Sequence, residues 1–174
     1  MSTALVDRVA TDGNVIELHD GTTVRLHPMS ASDAPGLARF HSTLSPETTY
    51  FRFFSVHPLL SEKELYHFTH VDHTVREAIV VTAGDEIVAV ARFDRLKDPL
   101  EAEAAFVVAD SWQELGLGTA LFHRLADRAR EVGVNRLVAE VLPHNRRMLA
   151  VFHHSGLPVR SELRDGEVHL VVEL

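Results

Sequence analysis

The sequence predicts a mixed α/β fold of the α+β kind, in which a mostly antiparallel central sheet of about seven strands carries helices on both faces. Three observations point there. Apolar and polar residues alternate around Asp20-Gly21 near the start and Asp165-Gly166 near the end, as hairpin strands do around a tight turn. Between Arg76 and Asp110 three strand-like runs follow one another across short polar turns, as in an antiparallel meander. Helical periodicity appears in blocks between these runs, without the strict strand-helix alternation of a doubly wound parallel sheet.

The elements follow in order. "VIELHDGTTVRLHPMS" reads as two short strands turning at Asp20-Gly21. "SASDAPGLARFHSTL" reads as a helix, with Ser30 or Ser32 as cap and Leu37, Phe40 and Leu44 at spacings of three and four. "SPETTYFRFFS" and "SEKELYHFTH" add two helical stretches, the second opened by a Ser61 to Glu64 capping box. "REAIVVTAGDEIVAVARFDRL" and "EAEAAFVVAD" supply the meander. A long amphipathic helix starts near Gly118, with Leu121, Leu125, Ala129 and Val132 on one stripe and Gly133 at its end. "NRLVAEVL" is a buried strand, "PHNRRMLAVFHHSG" a helix, and "LPVRSELRDGEVHLVVEL" a closing hairpin. The 174 residues fit one domain, 1–174.

Composition narrows the function. A formal net charge of -8 disfavours non-specific nucleic-acid binding, which needs basic surface to displace counterions. With no cysteine there is neither a disulfide framework nor a thiol nucleophile. The start, "MSTALVDRVATDGN", has the pattern of neither a signal peptide nor a membrane anchor, so a cytoplasmic location without membrane association is expected. Twelve histidines raise the possibility of a metal site, above all His67, His70 and His73 and the pair His153-His154. No HExxH is present, and surface or substrate-groove roles fit these residues better; no metal is expected.

The most informative stretch is the turn between the third meander strand and the long helix, "SWQELGLGTA". Glycines at 116 and 118 let the backbone be approached closely, and the helix that follows presents free N–H groups and the positive end of its dipole. An anionic ligand suits such a place. A P-loop is excluded because Thr119-Ala120 stands where Lys-Ser/Thr is needed; the dinucleotide fingerprint fits Gly116 and Gly118, with Glu140 tolerably placed as its ribose acid, but fails at its third glycine, which is Leu121.

Gln113-Glu114-Leu115-Gly116-Leu117-Gly118 resembles the Q/R-x-x-G-x-G/A signature of the GNAT superfamily of acyl-CoA N-acyltransferases. Asn145, Phe152 and Gly156 are spaced like that family's N-x6-Y-x3-G segment, and the order of elements is similar along the whole chain. The stretch "YFRFFSVHPLLSEKEL" further resembles the catalytic domains of bacterial protein lysine acetyltransferases, whose frequent partner domains are not seen in these residues.

This resemblance implies a sheet splayed at the fourth core strand and acetyl-CoA as co-substrate. Main-chain groups of Phe106, Val107, Val108 and Ala109 would hold the pantetheine arm, and one N–H would polarise the thioester carbonyl. The turn from Gln113 and Glu114 through Leu115, Gly116, Leu117, Gly118 and Thr119 would receive the pyrophosphate. Arg147 or Arg124 would reach the 3′-phosphate, although both could be solvated surface charges. Asn145 would bond the pantetheine or cap its helix.

A lysine amine is mostly protonated at neutral pH, so attack on a thioester needs a proton acceptor. Glu101 and Glu103 share strand parity with Ala105 and Val107, and Glu103 matches the catalytic glutamate of the resembling lysine acetyltransferases. It is the candidate general base; the alternative is an exposed strand-end carboxylate. Where many GNAT enzymes carry a tyrosine acid this chain has Phe152, so the departing sulfur would be protonated by water or leave as thiolate. The expected acceptor is a protein lysine, as in an acyl-CoA synthetase. A small-molecule amine acetyltransferase and a non-catalytic CoA sensor are the competing readings.

Overall fold

The structure, a computed structural model, describes residues 11–174. The chain opens with three strands, β1 (Thr11–Asp12), β2 (Val15–Glu17) and β3 (Thr23–Pro28), and then three helices, α1 (Ala34–Thr43), α2 (Pro46–Phe53) and α3 (Glu62–Thr69). The meander follows as β4 (Arg76–Ala83), β5 (Glu86–Arg95) and β6 (Glu101–Val108). Helix α4 (Leu117–Glu131), strand β7 (Arg136–Val141), helix α5 (Arg146–His153) and the hairpin β8 (Val159–Arg164) and β9 (Glu167–Glu173) complete it. The strands form one sheet in the order β1-β2-β3-β4-β5-β6-β7-β9-β8. Every neighbouring pair is antiparallel except β6 and β7.

The sheet is wider than the expected seven or so strands. The two-residue β1 is too short to show a periodicity, and it extends one edge by pairing Thr11 with Ile16. At the other edge the closing hairpin joins the same sheet, with β9 rather than β8 beside β7.

Local chemistry accounts for the helix ends. Ser61 accepts from the Glu64 N–H while the Glu64 carboxylate accepts from the Ser61 N–H, the reciprocal box expected from the sequence. Ser45 caps α2 by accepting from Thr48 N–H, and Pro46 starts that helix. Ser30 stands before a 3₁₀ turn, Ala31–Asp33, that leads into α1, with the Asp33 carboxylate accepting from Ser30 N–H.

Two apolar clusters pack on the two faces of the sheet. One joins α4 and Phe152 of α5 to Phe93, Ala102, Ala104 and Phe106, and Leu121, Leu125 and Ala129 of the expected stripe lie in it fully buried. The other joins Leu37 and Phe40 of α1 to Met29, Ala78, Val80 and Val90. Strand β6 thus sends its even residues to the α4 side and Glu103, Ala105 and Val107 to the side of α1, α2 and α3. Among the described residues no helix is long and apolar enough to cross a membrane.

Candidate active site

The site begins where the sheet opens. Parallel pairing between β6 and β7 comprises Glu101 with Arg136, Ala102 with Leu137 and Glu103 with Val138, and goes no further. Both strands continue, to Val108 and Val141, so they diverge as the two arms of a V. A cleft of about 900 Å³ fills the gap, lined by β6, β7, α2, α5 and the start of α4. A strand's main-chain groups point alternately to its two neighbours. The Ala109 N–H donates to Val88 O on the β5 side, at 2.8 Å. The alternation therefore turns Val107 and Ala109 toward β5 and leaves the N–H and C=O groups of Phe106 and Val108 facing the gap. Of the expected set, Ala109 has its N–H engaged and lies outside the cleft lining, and Val107 borders the cleft with its main-chain groups turned to β5.

At the open end of the V the glycine turn meets α4. Gly116 is the N-cap, with φ of 85°, and no side chain caps the helix. Its first N–H groups are thus left for another partner. A Cβ on Gly116 would lie 2.5 Å from Nε2 of His19, whose backbone N–H donates to Leu115 O. The close approach that Gly116 permits is made by the chain's own β2-β3 turn. Glu114 also has positive φ, at 64°, so the turn is tightly coiled. Gly118 and Thr119 line the cleft, whereas Leu115 and Leu117 do not; Leu117 is buried in the core below.

A chain of side-chain bonds crosses the mouth. Arg147 of α5 donates from Nη1 to Gln113 Oε1 at 2.7 Å and from Nε to Glu114 Oε1 at 3.3 Å. Gln113 in turn donates from Nε2 to Val108 O at 3.0 Å. With His19 and Arg146, Arg147 gives the turn a basic rim in an otherwise acidic chain. Arg124 is engaged with Gly13 O and does not line the cleft.

Helix α2 forms the opposite wall, and Asp110 anchors it. The Asp110 carboxylate accepts from Ser45 N–H, Ser45 Oγ and Thr48 Oγ1, at 2.9, 2.7 and 2.7 Å. Burial, the largest single influence, pushes the pKa of this carboxyl up, but the hydrogen bonds from Ser45 and Thr48 together outweigh it and hold the pKa below its ordinary value. Phe51 of α2 meets His144 edge to face, with ring centroids 5.1 Å apart. Half-buried Arg52 feels the charges of Asp94 and Glu103; burial lowers its pKa and those two carboxylates oppose the shift. Beside it, buried Arg92 donates to Phe68 O and is pushed down to about 10, by burial first and by Arg52 next.

Glu103 lies exposed in the cleft at the vertex of the V, between Asp94 of β5 and Val138 of β7. Asn145 caps α5, its Oδ1 accepting from Met148 N–H at 3.3 Å, and also borders the cleft. Phe152 is 1% exposed and packs against Phe106 and Phe122, with centroids 5.7 and 5.2 Å away, so its ring belongs chiefly to the core. Among the described residues no tyrosine lines the cleft; Tyr66 stacks on His70 instead. His70 Nδ1 bonds Tyr66 O and His73 Nδ1 bonds Glu77. Among the described residues no group of three or more His, Cys, Asp or Glu is placed to hold a metal.

Sequence reasoning did not find His19, Phe51, Arg52, His144 or Arg146, and met Glu140 only as a possible ribose acid of the rejected dinucleotide reading; all six line the cleft. These residues reach it by tertiary packing; Phe51, Arg52, His144 and Arg146 lie within or beside the stretches that carry the resemblance, which signal no role for them. Chemically the cleft offers an uncapped helix end and basic rim for phosphates, an open strand edge for an extended arm, and a carboxylate where the two strands part.

Comparison with known proteins agrees. The sequence profile of the acetyltransferase (GNAT) family matches residues 38–157. The chain is 33% identical to the acetyltransferase Pat of Mycolicibacterium smegmatis over 81% of its own length and 43% of that protein's, so it spans less than half of that relative. It is 28% identical to an acetyltransferase of Pseudomonas aeruginosa, over 80% of this chain and 77% of that one. Among solved structures, the GNAT domain of S. lividans PAT superposes with a TM-score of 0.87 and 38% identity, covering 92% of this chain and 96% of that one. A Salmonella typhimurium acetyltransferase solved with acetyl-CoA shares the fold, with a TM-score of 0.68 at 17% identity, over 87% and 92% of the two chains. An open V in the sheet with a glycine turn at its mouth, and a family match over most of the chain, lead to one conclusion: the chain belongs to the GNAT family and is an acetyl-CoA-dependent N-acetyltransferase.

Proposed function

We propose that this enzyme transfers the acetyl group of acetyl-CoA directly to a lysine side chain of a protein, such as an acyl-CoA synthetase, with Glu103 as general base. The observation that carries the reading is the position of Glu103, a carboxylate in the cleft at the point where β6 and β7 separate. The pantetheine arm would run along the free edge of β6, against the main-chain groups of Phe106 and Val108, and the pyrophosphate would meet the N–H groups of Gly118 and Thr119. Arg147 would turn from Gln113 and Glu114 toward the 3′-phosphate.

In the reaction, Glu103 takes a proton from the lysine ammonium through water, freeing the nitrogen lone pair. The nitrogen attacks the thioester carbon, and a gap-facing N–H of Phe106 or Val108 stabilises the oxygen that gains charge. The C–N bond forms as the C–S bond breaks. Sulfur departs as thiolate and takes a proton from water, because Phe152 has none to give; a thiol pKa near 8.5 makes that departure easy. The likeness to the protein acetyltransferases Pat and PAT favours a protein acceptor over a small amine.

The test is incubation of the enzyme with acetyl-CoA and an acyl-CoA synthetase, following CoA release and locating acetyl-lysine by mass spectrometry. Stoichiometric modification of one lysine, lost with Glu103→Gln, supports the reading. Turnover with small amines alone would replace it with a metabolite acetyltransferase, and binding of acetyl-CoA without any turnover with a CoA sensor.

A further inference from the structure

We propose that Glu140, held by His169, is a second carboxylate of the reaction cleft and recognises the positive charge of the acceptor amine. The inference rests on the reading of an amine acceptor above, and adds to it a specificity residue on the opposite arm of the V.

Strand parity places it. Val138 lies beside Glu103 in the parallel pair, so Glu140, two residues farther along β7, shares the face of Glu103. By then the strands have parted, and Glu140 borders the cleft from the far side. Two residues of rise and one strand spacing put the two Cα atoms at least about 8 Å apart, room for an amine between two carboxylates.

The neighbours of Glu140 favour a cation. Its register partner on β9 is His169, whose Nδ1 hydrogen-bonds Glu140 Oε1. His169 in turn pairs with Glu162 of β8; Arg164 is bound to Glu162 at 2.6 Å and feels the charge of Glu140 only as the last and weakest influence on it, without an ion pair to it. Among the described residues the histidine is the one ion-pair partner of Glu140. A single histidine contact occupies one carboxylate oxygen and leaves the other able to accept from a further donor. An ammonium is such a donor.

Access fits a large acceptor. Helices α1, α2 and α3 cover this face of the sheet over β4, β5 and β6, whereas β8 is exposed along almost its whole length. A lysine on a protein surface can therefore approach over the uncovered β7-β9-β8 half and reach Glu140 and Glu103 together, while the coenzyme enters from the glycine turn.

The experiment uses the intact chain, acetyl-CoA and a short lysine peptide with blocked termini as acceptor probe. Glu140→Gln is expected to raise KM for the peptide roughly tenfold or more, the loss of a hydrogen bond to a charged group, with kcat within about twofold. KM for acetyl-CoA stays unchanged. His169→Ala shows part of this effect, and His169→Asn, which keeps a donor near the place of Nδ1, restores it. A fall in kcat at constant peptide KM, a change in KM for acetyl-CoA, or no change at all overturns the inference. If the wild type does not acetylate the peptide, peptide titration of the CoA complex followed by the His169 imidazole NMR signal decides separately. A shift that Glu140→Gln abolishes supports recognition and counts only against turnover; absence of a shift overturns the inference.

Discussion

Glu103 and Val138 are the last residues at which β6 and β7 lie side by side, so the Glu103 carboxylate stands at the vertex of the cleft. Above that pair the sheet is open, and the edge it exposes belongs to Phe106 and Val108. The placement of the acid and the exposure of the strand edge are thus two results of one break in pairing.

The contact of His19 with Gly116 makes the glycine turn sensitive to substitution. Gly116→Ala introduces a Cβ 2.5 Å from the His19 ring at a φ of 85°. Thermal unfolding should show a loss of about 1–3 kcal/mol, combining the left-handed backbone cost with steric displacement. Adding His19→Ala should recover the steric part alone. Full recovery in the double variant would show that backbone conformation contributes nothing.

Phe152→Tyr puts a hydroxyl where the family often has one, but into the packed ring cluster with Phe106 and Phe122. The expected outcome is a loss of roughly 1–3 kcal/mol of stability, from a buried hydroxyl short of partners, and no gain in kcat. Paired denaturation and rate measurements check this; a faster enzyme would show that the ring edge reaches the sulfur.

Arg147→Ala removes exposed bonds to Gln113 and Glu114, so stability should change by no more than about 0.5 kcal/mol. KM for acetyl-CoA should rise severalfold and lose part of its salt dependence, whereas dephospho-CoA derivatives should be affected less. Equal effects on both coenzymes would remove Arg147 from the 3′-phosphate.

Asp110 gives the α2 wall a dependence on acid. Its folded pKa lies below the unfolded value, so its contribution is fully present above the unfolded pKa and is lost as pH falls through the folded one. Acid unfolding of the wild type should therefore include this loss, and Asp110→Asn should be less stable at pH 7 with a shallower decline in stability below pH 4. Parallel curves for the two proteins would contradict the assignment.

Several of these features were legible in sequence because they are local. Gly116 and Gly118 mark a turn, Phe152 shows the missing tyrosine, and the parity of Glu103 fixes its face. Other features depend on distant partners. His19 meets Gly116 from a turn far away in sequence, and Gln113 reaches Arg147 through folding alone. The direction of the Ala109 N–H follows from which neighbour β6 retains, and that is set by strand order. The breadth of the sheet was hidden for the same reason, since an edge as short as Thr11–Asp12 is defined by its partner rather than by its own pattern.

In the proposed mechanism the carboxylate at the vertex accepts the acceptor's proton. The most direct test of this is the single-turnover rate at saturating acetyl-CoA for the wild type and Glu103→Gln, beside the Kd of each for acetyl-CoA. A rate lower by about a hundredfold or more at unchanged Kd is expected for loss of a general base. An unchanged rate, or a loss explained entirely by weaker coenzyme binding, would contradict it.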